Sequence, residues 1–225
     1  MVIRVDAHKI AYMAVPKAAC SSVKAAMGAL DPTNDISDPS AFAQKQVHGM
    51  YPTQRFRMHR WERVEDFFRF TVVRDPLKRL FGVYTNRVVA KKELFGNRKI
   101  KRGRVDLPPD PDPDFFFQNL SPYIAIASVI KHHALPTVCF TGKAFDRYTG
   151  VYRTSDLSNL ATDLSDQVGR EVVIPHFNSS DMTLTLDDLK PETHKALAAR
   201  LEEEYAHLAD FFDNPFARRM HPLAA

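Results

Sequence analysis

The chain has 225 residues, of which 44% are hydrophobic and 26% are charged, and these globular values exclude disordered, collagen-like and low-complexity proteins. Its two cysteines, Cys20 and Cys139, are too few for a disulfide framework or a four-cysteine zinc site. No apolar run reaches the roughly eighteen residues of a membrane span, and charges interrupt the N-terminal stretch where a signal peptide needs an apolar core. We expect a cytoplasmic protein whose residues 1–225 form a single domain.

The positive charge is concentrated in one segment. The chain carries a net charge of +4, and eight basic residues and one acidic residue lie between Arg87 and Arg104. Because the remainder is net negative, the pI near 9.0 does not indicate a general nucleic-acid binder. The segment is either a solvated surface or a rim that attracts an anionic acceptor or cofactor. With the Pro/Asp-rich run 108–114, it forms a predicted loop or arm at about 92–115.

Apolar periodicity predicts an alternation of strands and helices. Predicted strands lie at 9–15, 67–73, 137–140 and 172–174. Predicted helices lie at 21–30 with a serine cap, from 76 onward, at 115–133, at 155–168 with Ser155 as cap, and at about 191–212. Residues 31–60 are polar and irregular. Buried strands between helices predict an α/β fold whose mostly parallel sheet is covered on both faces, with ligands at the carboxyl ends of the strands.

The first chemical motif is VPKAACSSVK at residues 15–24. A strand is followed by a turn with Lys17, and Ser21 and Ser22 then open a helix whose backbone N–H groups can bind an anion. This differs from the nucleoside-triphosphate loop, because the lysine precedes the first serine by four positions and glycine is absent. The alternative is a capped helix after a strand, with an exposed lysine.

The second motif is FTVVRDPLKRLFGVY at residues 70–84. Asp75 is suited to cap a helix and Pro76 to occupy its first position. Arg74 follows a buried strand, where its guanidinium needs an anionic partner. A phosphate fits its bidentate donors, and a carboxylate such as Asp75 is the alternative.

Together the two motifs resemble the nucleotide-binding segments of sulfotransferases that use 3′-phosphoadenosine 5′-phosphosulfate (PAPS). The resemblance is greatest to the carbohydrate sulfotransferase branch and its bacterial family 2-like members. In that family a P-K-x-G-[CS]-[TS]-[NS] loop binds the 5′-phosphosulfate, and residues 16–22 here read PKAACSS. A later [FV]-V-R-D-P-x-x-R-x-x-S-x-Y segment binds the 3′-phosphate, and residues 73–84 here read VRDPLKRLFGVY. The resemblance continues more weakly at 151–157 and at 178–180.

The resemblance implies a P-loop-like three-layer sandwich that transfers a sulfuryl group from PAPS, by in-line displacement, to a hydroxyl of a carbohydrate or glycoconjugate. The residues themselves lead us to expect no metal, since no clear metal-ligand spacing is present, no membrane span, and no nucleic-acid partner, since Phe95 is the one aromatic residue of the basic segment. Lys17 would stabilise the leaving group, and Arg74 would hold the 3′-phosphate. The full set of implied cofactor-binding residues is Lys17, Ala18, Ala19, Cys20, Ser21, Ser22, Arg74, Gly82, Thr85 and Arg153.

Two positions depart from the family pattern. Ala19 replaces the loop glycine, which is accommodated if its φ is negative. Gly82 replaces a serine, so the 3′-phosphate loses a hydroxyl donor that Thr85, one helical turn on, would have to supply. These departures support an alternative in which the chain is a catalytically inactive nucleotide-binding homologue. A nucleotide-kinase-like phosphotransferase is a further alternative, although the triphosphate loop is missing.

The acceptor hydroxyl also needs a general base. Carbohydrate sulfotransferases often carry a histidine or glutamate upstream of the arginine segment, and His48 and His59 lie in that region. We favour His48 slightly over His59, with His133 next. Each of these residues also fits an ordinary surface or hydrogen-bonded histidine.

Overall fold

A computed structural model describes residues 2–177 and 182–217, so Asn178 to Ser180 of the weaker resemblance lie outside the described residues. The β-strands are β1 (Ile3–Val5), β2 (Ile10–Met13), β3 (Phe68–Val73) and β4 (Gly150–Arg153). The α-helices are α1 (Cys20–Leu30), α2 (Gln44–Met50), α3 (Met58–Trp61), α4 (Pro76–Val83), α5 (Arg98–Lys101), α6 (Pro113–Gln118), α7 (Leu120–Ile126), α8 (Ser128–Ala134), α9 (Val138–Thr141), α10 (Leu157–Val168) and α11 (Pro191–His207). A π-helical turn, Tyr84–Ala90, follows α4. Within the described ranges, no helix is long and apolar enough to cross a membrane.

The described residues divide into two compact units. The first comprises residues 2–74 and 136–177 and contains the sheet, and the second comprises 75–135 and 182–217 and is helical. The strand order in the sheet is β1-β2-β3-β4. β2 pairs in parallel with β3, and β3 in parallel with β4, whereas β1 is antiparallel to β2. The predicted α/β fold with a mostly parallel sheet is therefore confirmed, with one antiparallel edge strand.

Alternating side chains of β2 and β3 cover both faces of the sheet, as the period of two in a strand requires. On one face, Tyr12 stacks on Phe70 with 4.9 Å between ring centroids. These rings pack with apolar residues of α1 and α10. On the other face, Met13 packs with Trp61 and residues around α3. Helical segments therefore cover both faces of the sheet, as predicted for this unit.

The helical unit has its own apolar core, built from α4, the π-helical turn, α6, α7, α8 and α11. The inner face of α11 is the predicted stripe, with Leu197, Leu201, Tyr205 and Leu208 all buried, although the helix itself ends at His207. The Pro/Asp-rich run packs on this unit, since Tyr84 and Tyr123 donate hydrogen bonds to its backbone carbonyls. The basic segment contains α5, whose charged side chains are exposed.

Several predicted elements were wrong. The predicted helix 115–133 is three short helices, because the backbone leaves helical geometry at Asn119 and again at Ala127. The predicted strand 137–140 is the helix α9, in which the N–H of Phe140 bonds to the carbonyl of Thr137. The predicted strand 172–174 forms no regular element, and the strand beside β3 is instead 150–153. The irregular region 31–60 contains α2 and most of α3.

The predicted serine caps were also wrong. α1 begins at Cys20, with Ala19 at the N-cap position. α10 begins at Leu157, with Asp156 at the N-cap position. Neither N-cap residue makes a side-chain capping hydrogen bond. Asp75 and Pro76 fulfil their predicted roles at the start of α4, where the Asp75 carboxylate accepts from the N–H of Lys78 at 2.8 Å.

A buried ion pair links α4 to α11. Arg79 and Glu204 are 1% and 6% exposed, and their charged groups are 2.8 Å apart. The Arg79 guanidinium also donates to the carbonyls of His133 and Leu135 at 2.9 and 2.8 Å. Removing one member of such a pair leaves the other charge desolvated without its counter-ion.

We therefore expect Arg79→Met to lower the free energy of unfolding by about 3–5 kcal/mol. The double variant Arg79→Met/Glu204→Leu should show a smaller decrease in the free energy of unfolding, since both charges are removed together. Urea denaturation measures both changes. As a control, Arg4→Met breaks the exposed pair with Asp6 and should change stability by no more than about 1 kcal/mol. A double variant less stable than Arg79→Met would contradict this account of the pair.

Candidate functional site

The two predicted loops lie at the same edge of the sheet. β2 ends at Met13 and β3 at Val73, and because these strands are parallel neighbours, both are followed by their loops at the carboxyl edge. The Arg74 guanidinium Nη1 donates to the backbone carbonyl of Lys17 at 3.1 Å. The structure thus brings Lys17 and Arg74 together, although they are far apart in sequence.

The first loop has an unusual backbone. Lys17 and Ala19 both have positive φ, at 67° and 54°, in the left-handed region that favours glycine. The condition expected to accommodate Ala19, a negative φ, is therefore not met. The loop keeps the backbone of a glycine-containing turn, and it does so at a cost of about 1–2 kcal/mol for a residue with a Cβ atom.

The start of α1 fits an anion. Ala19 contributes no side-chain cap, and the first N–H groups of a helix have no acceptor within the helix. These groups and the helix dipole favour a negatively charged ligand. The start of α4 differs, because the Asp75 carboxylate already accepts from a first-turn N–H there.

Both loop serines are buried, Ser21 at 8% and Ser22 at 3% exposure. The Ser22 hydroxyl oxygen accepts a hydrogen bond from the N–H of Phe177 at 3.2 Å. The Ser21 Oγ lies 2.9 Å from Nε2 of His48, on α2. His48, the favoured base candidate, therefore contacts the first turn of α1.

Lys24 is the residue of this site that the sequence prediction missed. Its side chain is fully buried, and its Nζ lies 3.1 Å from His48 Nδ1 and donates to Thr53 Oγ1 at 2.7 Å. Desolvation by burial lowers the pKa of the Lys24 ammonium. The sequence contains one sign of this burial: Lys24 is the only charged residue in the predicted helix 21–30.

The remaining predicted site residues are more dispersed. Ala18 and Cys20 are buried parts of the loop, and His59 is exposed on α3. Arg153, at the end of β4, pairs with Asp156 at 2.8 Å with half of its side chain exposed. Two predicted cofactor residues belong to the helical unit. Gly82 lies in α4, and Thr85 is buried in the π-helical turn. Their cofactor roles stay predictions.

A family model described as "Sulfotransferase family" matches residues 1–214 of the chain. The chain belongs to the sulfotransferase family. The match includes both predicted motifs and residues of both compact units. This family is the one that the resemblance of the two motifs indicated.

Two curated relatives are similar to part of the chain. They are carbohydrate sulfotransferase 11 of Rattus norvegicus and of Mus musculus, each 26% identical over 106 residues. The aligned part is 43% of this chain and 30% of each relative, so the chain covers less than a third of the length of these relatives. No solved structure gives a significant match.

The strained loop yields a stability prediction. Glycine adopts the φ of Ala19 without steric cost but loses more backbone entropy on folding, so Ala19→Gly should raise the free energy of unfolding by about 0.5–1 kcal/mol. Urea denaturation measures this change. The matched control is Ala26→Gly, in the buried interior of α1, which should lower stability. Equal losses in both variants would contradict a left-handed backbone at Ala19.

Proposed function

We propose that the chain transfers a sulfuryl group from PAPS to a hydroxyl of a carbohydrate or glycoconjugate. One observation carries the proposal: Lys17 and Arg74 lie in two loops at one sheet edge, joined by the Arg74–Lys17 hydrogen bond, and Ser21 and Ser22 lie in the first turn of α1, directly after the first loop. The carbohydrate acceptor is supported by the relatives named carbohydrate sulfotransferase 11. The cytoplasmic location stays a prediction from the sequence.

The residues present fit a phosphate-bearing donor. The first loop carries the cationic side chain of Lys17, and the first turn of α1 adds two buried hydroxyls and a helix start without a side-chain cap. The Arg74 guanidinium contacts that loop from the end of β3. These groups offer hydrogen-bond donors and positive charge, which is what phosphate oxygens require. When bound, PAPS supplies the sulfuryl group and leaves as 3′-phosphoadenosine 5′-phosphate.

Lys17 would act mainly through its charge. Transfer reactions of this kind need positioning and stabilisation of the charge that develops on the leaving phosphate. The left-handed backbone at Lys17 and Ala19 sets the path of the loop that carries this charge. Ser21 and Ser22 would donate from their hydroxyls to the same phosphate, beside the first-turn amides of α1.

Arg74 would provide selectivity for a 3′-phosphate over a simple adenine nucleotide. A guanidinium carries five N–H donors in a planar fork that matches phosphate geometry. The bond from Nη1 to the Lys17 carbonyl fixes one end of this fork. We propose that Arg74 thereby orients the fork and stabilises the conformation of the first loop.

The general base remains a sequence-based prediction, with His48 favoured over His59 and His133 as the third candidate. His48 and His59 are both exposed, and the contact that distinguishes His48 is its hydrogen bond with Ser21 in the first turn of α1. A base must reach the acceptor hydroxyl. The acceptor would therefore bind at a different place if His48 were the base than if His59 were.

Two observations favour a second candidate, an inactive nucleotide-binding homologue. Ala19 adopts a glycine conformation with strain, and Gly82 lacks the hydroxyl that the family pattern places there. Such a protein would bind 3′-phosphoadenosine 5′-phosphate without transferring a sulfuryl group to any acceptor.

The test is sulfuryl transfer by Lys17→Ala, with ³⁵S-labelled PAPS and a panel of carbohydrate acceptors. Alanine keeps the Cβ atom, so the substitution removes the charge and leaves the steric demand of the loop backbone unchanged. Loss of one group that stabilises transition-state charge typically lowers turnover by about 10²–10³-fold, and we expect a loss of that size.

Lys143→Ala, at an exposed lysine outside the two loops, is the matched control and should keep wild-type turnover. Calorimetric titration with 3′-phosphoadenosine 5′-phosphate shows whether each variant still binds the product nucleotide. Wild-type turnover in Lys17→Ala would overturn the proposed mechanism. Nucleotide binding with no transfer by the wild-type chain would favour the inactive homologue.

A further inference from the structure

Lys24 is buried in α1, the helix that follows the first loop, and none of the aspartates or glutamates among the described residues forms an ion pair with it. Lys24 is 0% exposed, and its ammonium contacts two neutral groups, the Thr53 hydroxyl and the His48 ring. Burial of a charged lysine is costly and rare. Such a residue calls for an explanation beyond packing.

The contacts of Lys24 determine where the proton of the His48 ring lies. An ammonium has three donors and no acceptor, so His48 Nδ1, 3.1 Å from Lys24 Nζ, must be the acceptor. A neutral imidazole carries one proton, which is therefore on Nε2. That nitrogen is 2.9 Å from Ser21 Oγ, and the ring thus donates to the serine oxygen.

We propose that Lys24 is a positioning residue that holds His48 as an Nε2–H donor to Ser21. Because the Ser21 oxygen accepts from the ring, its own O–H proton is directed to another acceptor. The identification of this acceptor with the 5′-phosphate of PAPS rests on the proposed function. The hydrogen bonds from Lys24 to His48 and from His48 to Ser21 thus orient the Ser21 hydroxyl toward the anion.

The proposal separates His48 from the role of general base. Its Nε2 already carries a proton, and a proton on Nδ1 would face the N–H groups of Lys24. In this arrangement His48 contributes a hydrogen-bond donor, and a side chain with a comparable donor can replace it. A base can be replaced only by another group that takes up a proton.

The tautomer can be measured on the protein without any ligand. Two-bond ¹H–¹⁵N correlation spectra of the histidine rings at pH 8 should show His48 with the proton on Nε2. In Lys24→Met, a substitution of similar length without charge, the His48 signals should shift toward a mixture of tautomers. A proton on Nδ1 of wild-type His48 would overturn the proposal, whether or not the chain binds PAPS.

The second readout is ligand affinity and turnover in matched histidine variants. Glutamine places an amide N–H near the position of Nε2, whereas alanine removes the donor. One hydrogen bond contributes about 0.5–1.5 kcal/mol, so Lys24→Met and His48→Ala should weaken binding of 3′-phosphoadenosine 5′-phosphate by about 2–10-fold and raise KM for PAPS similarly. His48→Gln should regain part of the affinity and turnover that His48→Ala loses, because its amide N–H restores a donor to Ser21.

His8→Gln is the control, because His8 lies in the turn before β2, at the opposite end of that strand from the loop. It should leave affinity and turnover unchanged. If His48→Gln is as inactive as His48→Ala while both still bind the nucleotide, His48 is a base and the proposal is wrong. If the wild-type chain does not bind the nucleotide, the proposed function fails, and the ring spectra still decide the Lys24–His48 arrangement.

Discussion

The parallel pairing of β2 with β3 is the constraint on which the candidate site depends. It places the carboxyl ends of both strands at one edge, so that the loop after each strand reaches the other. The Arg74–Lys17 hydrogen bond then fixes the second loop to the backbone of the first. In the first loop the helix start remains available to an anion, whereas Asp75 caps the helix that follows the second.

The residues proposed to bind the phosphate also include residues whose conformation lowers the stability of the fold. Two residues other than glycine, Lys17 and Ala19, have left-handed backbone conformations. Strain of this kind persists only where the surrounding structure enforces it, and it is concentrated at functional sites. The buried ammonium of Lys24 is a second costly feature within the same few residues. Both fit a loop whose conformation is set before its ligand arrives.

The sequence predicted the elements that carry strong local signals. Asp75 and Pro76 favour a helix start at their position, and the largely apolar run 67–73 predicted the buried strand that the structure has at Phe68–Val73. The failures occur where tertiary contacts override local preference. β4 has only four residues and forms because β3 offers it a parallel partner, while the β-branched residues near Val138 lie in a helical turn.

The site divides in the same way. Lys17, Ser21, Ser22 and Arg74 stand in motifs, so a resemblance could find them. The apolar helix around Lys24 could have singled out this lysine, but its contact with Thr53 joins segments distant in sequence, and no local pattern shows that contact. His48 could be chosen from its region, but its hydrogen-bond partners on both ring nitrogens follow only from the packing of α2 against α1.

The central claim is that Lys17 and Arg74 form a site for a 3′-phosphorylated nucleotide. The most direct test compares thermal stabilisation of the chain by 3′-phosphoadenosine 5′-phosphate with that by AMP. A ligand at about a hundred times its dissociation constant stabilises the folded state by roughly 2.7 kcal/mol. The account predicts that 3′-phosphoadenosine 5′-phosphate raises the melting temperature clearly and that AMP raises it less. In Arg74→Ala the two nucleotides should raise the melting temperature equally. Equal shifts with both nucleotides, or none with either, would contradict it.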